Sequence, residues 1–161
     1  MTYRRLTKQQ FEALHEDFGH FLASQSIDAD QWAQMKEASP NLVERQLDAF
    51  SDLVWEEVLR KATFLDHFSE DGLFSFHAGQ KSLRLIGVRA TSAVDLSNSD
   101  GWAWLEVNWQ DDQVNFYHAQ KAYATNRSTE LFSLIERGAV VSDGTYFWAL
   151  EKILPQGKSL I

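Results

Sequence analysis

The stretch Gly101–Tyr123, GWAWLEVNWQDDQVNFYHAQKAY, predicts a β-hairpin on which the rest of the fold is built. Alternating residues run into and out of Asp111-Asp112, which would form a two-residue loop. That register gives one apolar face, with Trp109 opposite Val114. The other face, here called the aromatic face, is amphipathic and suits a covering helix, a protein partner or a ligand. Its residues are Trp102, Trp104, Glu106, Tyr117, Lys121 and Tyr123, with Asn108 and Asn115 beside them.

Three helical patterns precede this region. Thr7 with Gln10, and Asp28 with Gln31, match the capping box that opens a helix. The pair Ser39-Pro40 is a start signal for a third and longer helix, which should end near Ala62. The apolar spacing of Phe11 to Leu22 extends the first helix as one piece.

Strand patterns follow the helices. Thr63–Phe68 and Leu73–Ala78 predict a hairpin with a four-residue loop, and Leu83–Arg89 predicts the next strand. After the hairpin at 101–123, Ser128–Arg137 and the residues from Ser142 to Pro155 predict two closing helices. Because helices and strands are segregated along the chain, we expect an α+β fold. It would be a single domain over 1–161, with N-terminal helices, an antiparallel sheet of about five strands and two C-terminal helices.

Composition excludes several classes of function. A net charge of −8 argues against nucleic-acid binding, which draws its affinity from Lys and Arg on phosphates. No basic run favours an anionic membrane surface, and no apolar run is long enough to span a membrane. The chain has no cysteine, and the charged stretch Met1–Lys8 does not resemble a secretion signal. We therefore expect a cytoplasmic protein that binds neither nucleic acid nor membrane.

The predicted third helix carries a row of carboxylates, here called the acidic row. Glu44, Asp48, Asp52 and Glu56 follow one another at i+4 spacing, which costs a few tenths of a kcal/mol for each pair of like charges. A solvated helix face explains such a row. It would also serve as a docking strip for a basic partner surface, and divalent metal binding is a third interpretation.

The histidines do not form a recognisable catalytic or metal-binding motif. In the first hairpin, Asp66, Ser75 and His77 share a face, which raises a catalytic-triad interpretation, although Ser75 lies in mid-strand rather than on a strained turn. His67 falls on the other face of that hairpin, and His118 belongs to the later strand. Phosphate loops, dinucleotide fingerprints and zinc-protease motifs are absent from the sequence, so no cofactor is expected.

Five blocks of the chain share a pattern of helix caps, core residues and turns: Tyr3–Thr7, Ile27–Trp32, Phe50–Trp55, Glu136–Ala139 and Ser142–Gly144. With these blocks, the chain resembles an uncharacterised family of small bacterial proteins of the Bacteroidetes type. The resemblance implies a bacterial, cytoplasmic origin and carries no activity, cofactor or site residue.

Three functional hypotheses follow from these patterns. The leading one is a non-catalytic protein-interaction or accessory domain, anchored by the aromatic face and steered by the acidic row, with a protein partner or a second copy of the chain. The second is a small-molecule-binding domain with a pocket flanked by Glu106 and Tyr117. The third is a metal-dependent or hydrolytic enzyme, which requires at least two of His67, His77 and His118 to converge.

Overall fold

The computed structural model describes residues 1–91 and 94–154, which form two compact units. The first unit is Met1–Arg60 and the second is Lys61–Ile161. The first contains α1 (Lys8–Ala13), α2 (His15–Ser24), α3 (Ala29–Ala38) and nearly all of α4 (Pro40–Lys61). The second contains β1 (Phe64–Phe68), β2 (Gly72–Ala78), β3 (Ser82–Ala90), α5 (Ser99–Asn108), β4 (Val114–Ala122), α6 (Arg127–Glu136), β5 (Val140–Ser142) and α7 (Thr145–Ile153). The α+β class, with an antiparallel sheet of five strands, is confirmed.

Capping chemistry places the helices of the first unit. Both predicted capping boxes form, at Thr7 with Gln10 and at Asp28 with Gln31. The predicted first helix is divided in two, because Leu14 leaves helical geometry with φ −107° and ψ 23°. α4 ends at Lys61, close to the predicted position.

Aromatic side chains fill the core of the first unit. Phe50 of α4 is only 2% exposed. Three rings of α1 and α2 surround it, and the closest centroid, that of Phe18, lies 5.1 Å away. Trp32 of α3 meets Phe18 edge-on at 5.4 Å. The other two rings are Phe11 and Phe21, at 6.0 and 5.4 Å from Phe50.

The sheet has the strand order β4-β3-β2-β1-β5, and every neighbouring pair is antiparallel. The predicted first hairpin is confirmed with its register, which places Asp66 opposite Ser75. β3 then pairs with β2 and β4 with β3. The short strand β5, which the sequence did not predict as a strand, pairs its Ser142 with Phe64 of β1.

The predicted hairpin at 101–123 is wrong in its first half. Residues Ser99–Asn108 form helix α5, and the Asn98 side chain caps it by accepting a hydrogen bond from the Gly101 N–H. Only Val114–Ala122 is a strand, and its partner is β3 rather than residues 102–109. Because apolar and aromatic side chains occur on several sides of α5, no helical stripe stands out, and the alternation of Trp102 and Trp104 imitates a strand.

The sheet of the second unit has two differently covered faces. On the first, here called the α7 face, Ile86 and Val88 of β3 share a buried core with Phe147 of α7 and Leu105 of α5. The other, here called the α6 face, carries residues of opposite parity, including Phe76 and Leu83, beside α6. The closing helices α6 and α7 confirm the two predicted C-terminal helices, and Pro155 lies outside the described residues. No helix among the described residues is long and apolar enough to cross a membrane.

Candidate functional site

The structure does not assemble the predicted aromatic face. Trp102 and Trp104 belong to α5 and pack, partly buried, against the core of the α7 face. The ring of Trp102 meets Tyr146 of α7 edge-on, with 4.9 Å between centroids. Tyr117 of β4 lies instead on the α6 face, by the register of β3 with β4. The residues grouped by the hairpin prediction are thus separated by the thickness of the sheet.

The remaining members of the aromatic face have individual partners. Glu106 is exposed on α5. The Lys121 ammonium forms an ion pair of 2.6 Å with Glu130 of α6. The hydroxyl of Tyr123 donates to the carbonyl oxygen of Gly79 at 2.7 Å. A pocket flanked by Glu106 and Tyr117 is therefore not formed, because the helix that carries Glu106 packs on the opposite face from Tyr117.

The acidic row, in contrast, is brought together on one face of α4 and is occupied. The segment Thr2–Leu6, here called the N-terminal strap, lies along this face in a conformation that is neither helix nor strand. The Asp52 carboxylate accepts a hydrogen bond on each oxygen, from the backbone N–H groups of Thr2 and Tyr3, both at 2.8 Å. One side chain of α4 therefore fixes two successive peptide groups of the strap.

Two further side chains of the strap are bound by the other carboxylates of the acidic row. The Tyr3 hydroxyl donates to Glu56, and the Arg5 guanidinium donates to both Asp48 and Glu44. The Arg5 Nε is 2.7 Å from the Asp48 Oδ1. Hydrogen bonds to Asp48 and, next, to Glu44 raise the pKa of Arg5. All four residues of the acidic row thus hold strap atoms.

Contacts that involve no carboxylate flank the acidic row, and the sequence analysis did not predict the α4 residues that make them. The indole N–H of Trp55 donates to the Arg4 carbonyl oxygen at 3.0 Å, and the Arg4 guanidinium lies 5.2 Å from the centre of that ring. The Leu6 N–H donates to the Ser51 hydroxyl oxygen at 3.0 Å. Ser51 and Trp55 follow Asp48 and Asp52 by three positions each, so helical spacing was a signal that could have found them.

The strap is a built-in example of peptide recognition. Tyr3 and Leu6 are 8% and 7% exposed, so they are buried almost as deeply as core residues. Three peptide N–H groups, a phenol and a guanidinium of the strap are each held by a named partner on α4. Such an arrangement binds and orients an extended basic segment, and it contains no nucleophile paired with a base.

Of the three residues in the catalytic-triad interpretation, Asp66 and Ser75 are hydrogen-bonded to each other, and the His77 ring packs on aromatic side chains. The Ser75 hydroxyl donates to Asp66 at 2.6 Å, and both side chains are buried. His77 shares their face, but its ring is stacked on Phe64, with 4.9 Å between centroids, and also contacts Phe147. Burial raises the pKa of Asp66, and hydrogen bonds from Ser75 and Ser142 partly oppose that rise. This group is a buried polar link between strands.

We expect the substitution Asp66→Asn to change how stability depends on pH. Because the folded pKa of Asp66 is raised, ionisation disfavours the folded state, and stability is lost as the pH rises from the unfolded pKa through the folded one. The variant lacks this loss, so its stability relative to the wild type should increase from pH 3 to pH 8. Urea unfolding followed by circular dichroism at both pH values measures the difference. A wild type that gains on the variant as the pH rises would contradict the assignment.

The histidines do not converge. His67 lies on the α6 face, whereas His77 and His118 lie on the α7 face, in strands β2 and β4 with β3 between them. The His118 imidazole contacts Arg84 of β3, whose guanidinium is 3.4 Å from the imidazole Nε2. Within residues 1–91 and 94–154, no three histidine, aspartate or glutamate side chains are grouped to hold a metal ion.

Comparison with known proteins identifies a family. The chain belongs to the family of unknown function DUF6495, whose model matches residues 1–155. No curated protein and no solved structure matches the chain. The resemblance to an uncharacterised family is confirmed, and its bacterial origin stays a prediction.

Proposed function

We propose that this member of the DUF6495 family is a non-catalytic protein-interaction domain, whose acidic row binds a basic, aromatic segment of a partner protein. One observation carries the proposal: the acidic row already holds such a segment, the N-terminal strap of the same chain. The proposed binding residues are therefore those of the acidic row on α4, and no longer those of the aromatic face. The steering role proposed for the acidic row is retained.

Charge and shape both favour a protein segment as the partner. A row of four carboxylates on a chain of net charge −8 attracts cations and repels the phosphates of nucleic acids. Recognition of the strap also depends on its sequence, because Glu56 binds a phenol, Asp48 binds a guanidinium and the Leu6 side chain is buried. The preferred ligand is therefore an extended segment with the pattern Tyr-x-Arg-Leu.

The partner must compete with the strap. The strap belongs to the same chain as its site, so its binding is intramolecular, and it occupies the site unless a tighter ligand displaces it. The strap has no secondary structure of its own to lose, and its hold on α4 depends on side-chain contacts. The site is thus a regulated one, opened by a partner that outcompetes Thr2–Leu6.

We expect the variant Arg5→Glu to bind a strap peptide in trans at least tenfold more tightly than the wild type does. The new carboxylate lies beside Asp48 and Glu44, so repulsion loosens the strap and exposes the acidic row. A fluorescein-labelled peptide of residues 2–7 is titrated and followed by fluorescence anisotropy. Arg60→Glu is the matched control, because Arg60 is exposed on the same helix and pairs with Glu57.

Three results would overturn the proposal. The first is the absence of saturable peptide binding to the Arg5→Glu variant, with its helical circular dichroism intact. The second is equal binding of a control peptide in which the residue matching Arg5 is glutamate. The third is a dimer in native mass spectrometry that dissociates on Arg5→Glu substitution, which would assign the site to a second copy of the chain.

We also place this function in the cytoplasm of a bacterium as part of the proposal. The chain has no cysteine, so its folding requires no oxidising compartment, and a cytoplasmic location is compatible with the sequence. Fractionation of cells that express the native gene, followed by immunodetection of the protein, tests the location directly.

A further inference from the structure

A cleft of about 510 Å³ opens between α6 and the α6 face of the sheet. Its floor includes two apolar side chains, Phe76 of β2 and Leu83 of β3. Its wall includes Leu134 of α6, and the loop before α6 contributes Thr125. The volume lies within the range of clefts that take small organic molecules. Every lining residue belongs to the second unit, so this cleft is separate from the acidic row.

One row of α6 gives the cleft its polar groups. Thr129, Ser133 and Arg137 follow one another at i+4 spacing, so the two hydroxyls and the guanidinium lie on the same side of the helix. All three line the cleft opposite its apolar floor. A ligand that lies between them meets hydrogen-bond donors on one side and hydrocarbon on the other.

Of the three charged side chains that line the cleft, two pair with each other, and Arg137 can bind a ligand. Lys121 and Glu130 neutralise each other through the ion pair of 2.6 Å. Glu130 also accepts hydrogen bonds from the backbone N–H groups of Ala124 and Thr125. The hydrogen bond from Lys121 is the main cause of the lowered pKa of Glu130. In the described part of the chain, no carboxylate pairs with Arg137. The cleft therefore has a net charge of +1 on a protein of net charge −8.

We propose that this cleft binds a small monocarboxylate with an apolar chain or ring. A guanidinium binds a carboxylate through two parallel hydrogen bonds, and the hydroxyls of Thr129 and Ser133 can donate to the same group. The apolar part of the ligand lies on Phe76 and Leu83. A phosphate monoester carries a second charge, for which the described lining residues offer no second unpaired cation.

Octanoate is the probe, and 1-octanol is the matched uncharged probe of the same chain length. Both are titrated into the full-length protein by isothermal calorimetry, and the backbone amide signals of Leu83 and Ser133 are followed by NMR. We expect octanoate to bind at least tenfold more tightly than octanol. The variant Arg137→Gln should reduce octanoate binding to the level of octanol. Arg45→Gln, an equal change of charge at an exposed position of α4, should leave binding unchanged.

Ser133→Trp is the second variant, and it fills the cleft from a half-buried position without removing a core side chain. It should abolish binding of both probes while the circular dichroism stays that of the wild type. Four results would overturn the proposal: no saturable octanoate binding, equal binding of octanoate and octanol, octanoate binding that survives Arg137→Gln or Ser133→Trp, or octyl phosphate binding tenfold more tightly than octanoate.

Discussion

Replacing Gly101 with alanine is expected to destabilise the protein by about 3 kcal/mol, at the upper end of what overpacking usually costs. A Cβ at this position would lie 1.8 Å from the carbonyl oxygen of Asp95 and 2.6 Å from its carbonyl carbon. Both atoms are backbone, so no side-chain rotation relieves the clash. The turn that contains Asp95, or the start of α5, must move away from the core that contains Leu96 and Leu105.

The matched control for this prediction is Gly19→Ala. Gly19 is exposed in the middle of α2, and a Cβ there meets no atom within 4 Å. The same chemical change should therefore stabilise the protein by about 0.5–1 kcal/mol, because alanine favours the helix. Urea unfolding followed by tryptophan fluorescence and by circular dichroism measures both variants. Equal and small effects of the two substitutions would contradict the close approach at Asp95.

The second large effect is expected from Arg127→Ala, at about 3 kcal/mol of lost stability, because a charged donor shared by several carbonyls is removed. The Arg127 guanidinium donates to the carbonyl oxygens of Ala62, Ala78 and Gly79. The distances to the oxygens of Ala78 and Gly79 are 3.1 and 3.2 Å. These carbonyls lie at the end of the β1–β2 hairpin that is opposite its loop. Ala62 and Ala78 are buried there. Without the guanidinium, they lose a hydrogen-bond donor at a place with little access to water.

Two comparisons isolate that contribution. Arg127→Lys keeps the charge but not the planar fork, so it should recover only part of the lost stability. Arg60→Ala removes an exposed arginine that pairs with Glu57 on the same helix, and it should change stability by less than about 1 kcal/mol. Thermal unfolding by calorimetry ranks the three variants. An Arg127→Ala variant as stable as Arg60→Ala would show that the three carbonyls find other donors.

Local chemistry made part of the fold predictable. The capping boxes at Thr7 and Asp28, and the Ser39-Pro40 start signal, fix helix ends through contacts between residues only a few positions apart. The first hairpin was equally accessible, because its loop length sets the register that brings Asp66 to Ser75.

The errors arose where distant parts of the chain decide the local structure. Helix α5 packs one side on core side chains from β3, β4 and α7, but the exposed Ala103 and Val107 are also apolar, so the helix lacks a clear apolar period. The strand β5 has only three residues, and it is a strand because β1 offers it an edge. The packing that makes 99–108 a helix and the pairing that makes 140–142 a strand both depend on residues distant in the sequence, so a window of a few residues shows neither.

The acidic row was predicted from the sequence, but its occupation by the N-terminal strap was not. The i+4 spacing of the acidic row is visible in the sequence, whereas its occupant lies about forty to fifty positions away, at Tyr3 and Arg5. Only the opposite charge of Arg4 and Arg5 hinted at the pairing, and charge alone gives no register. The cleft beside α6 was missed because it depends on how that helix lies against Phe76 and Leu83.

The pairing of β5 with β1 has a consequence for the order in which the second unit folds. β1 and β2 each pair with the next strand along the chain, so the β1–β2 and β2–β3 hairpins form by closing short loops. The contact of Phe64 with Ser142 closes a loop that contains most of the unit. Its entropic cost must be met before the contact is gained, so β5 joins a sheet that has already formed. This three-residue strand therefore closes the sheet between residues that are far apart in the sequence, after the local hairpins have formed.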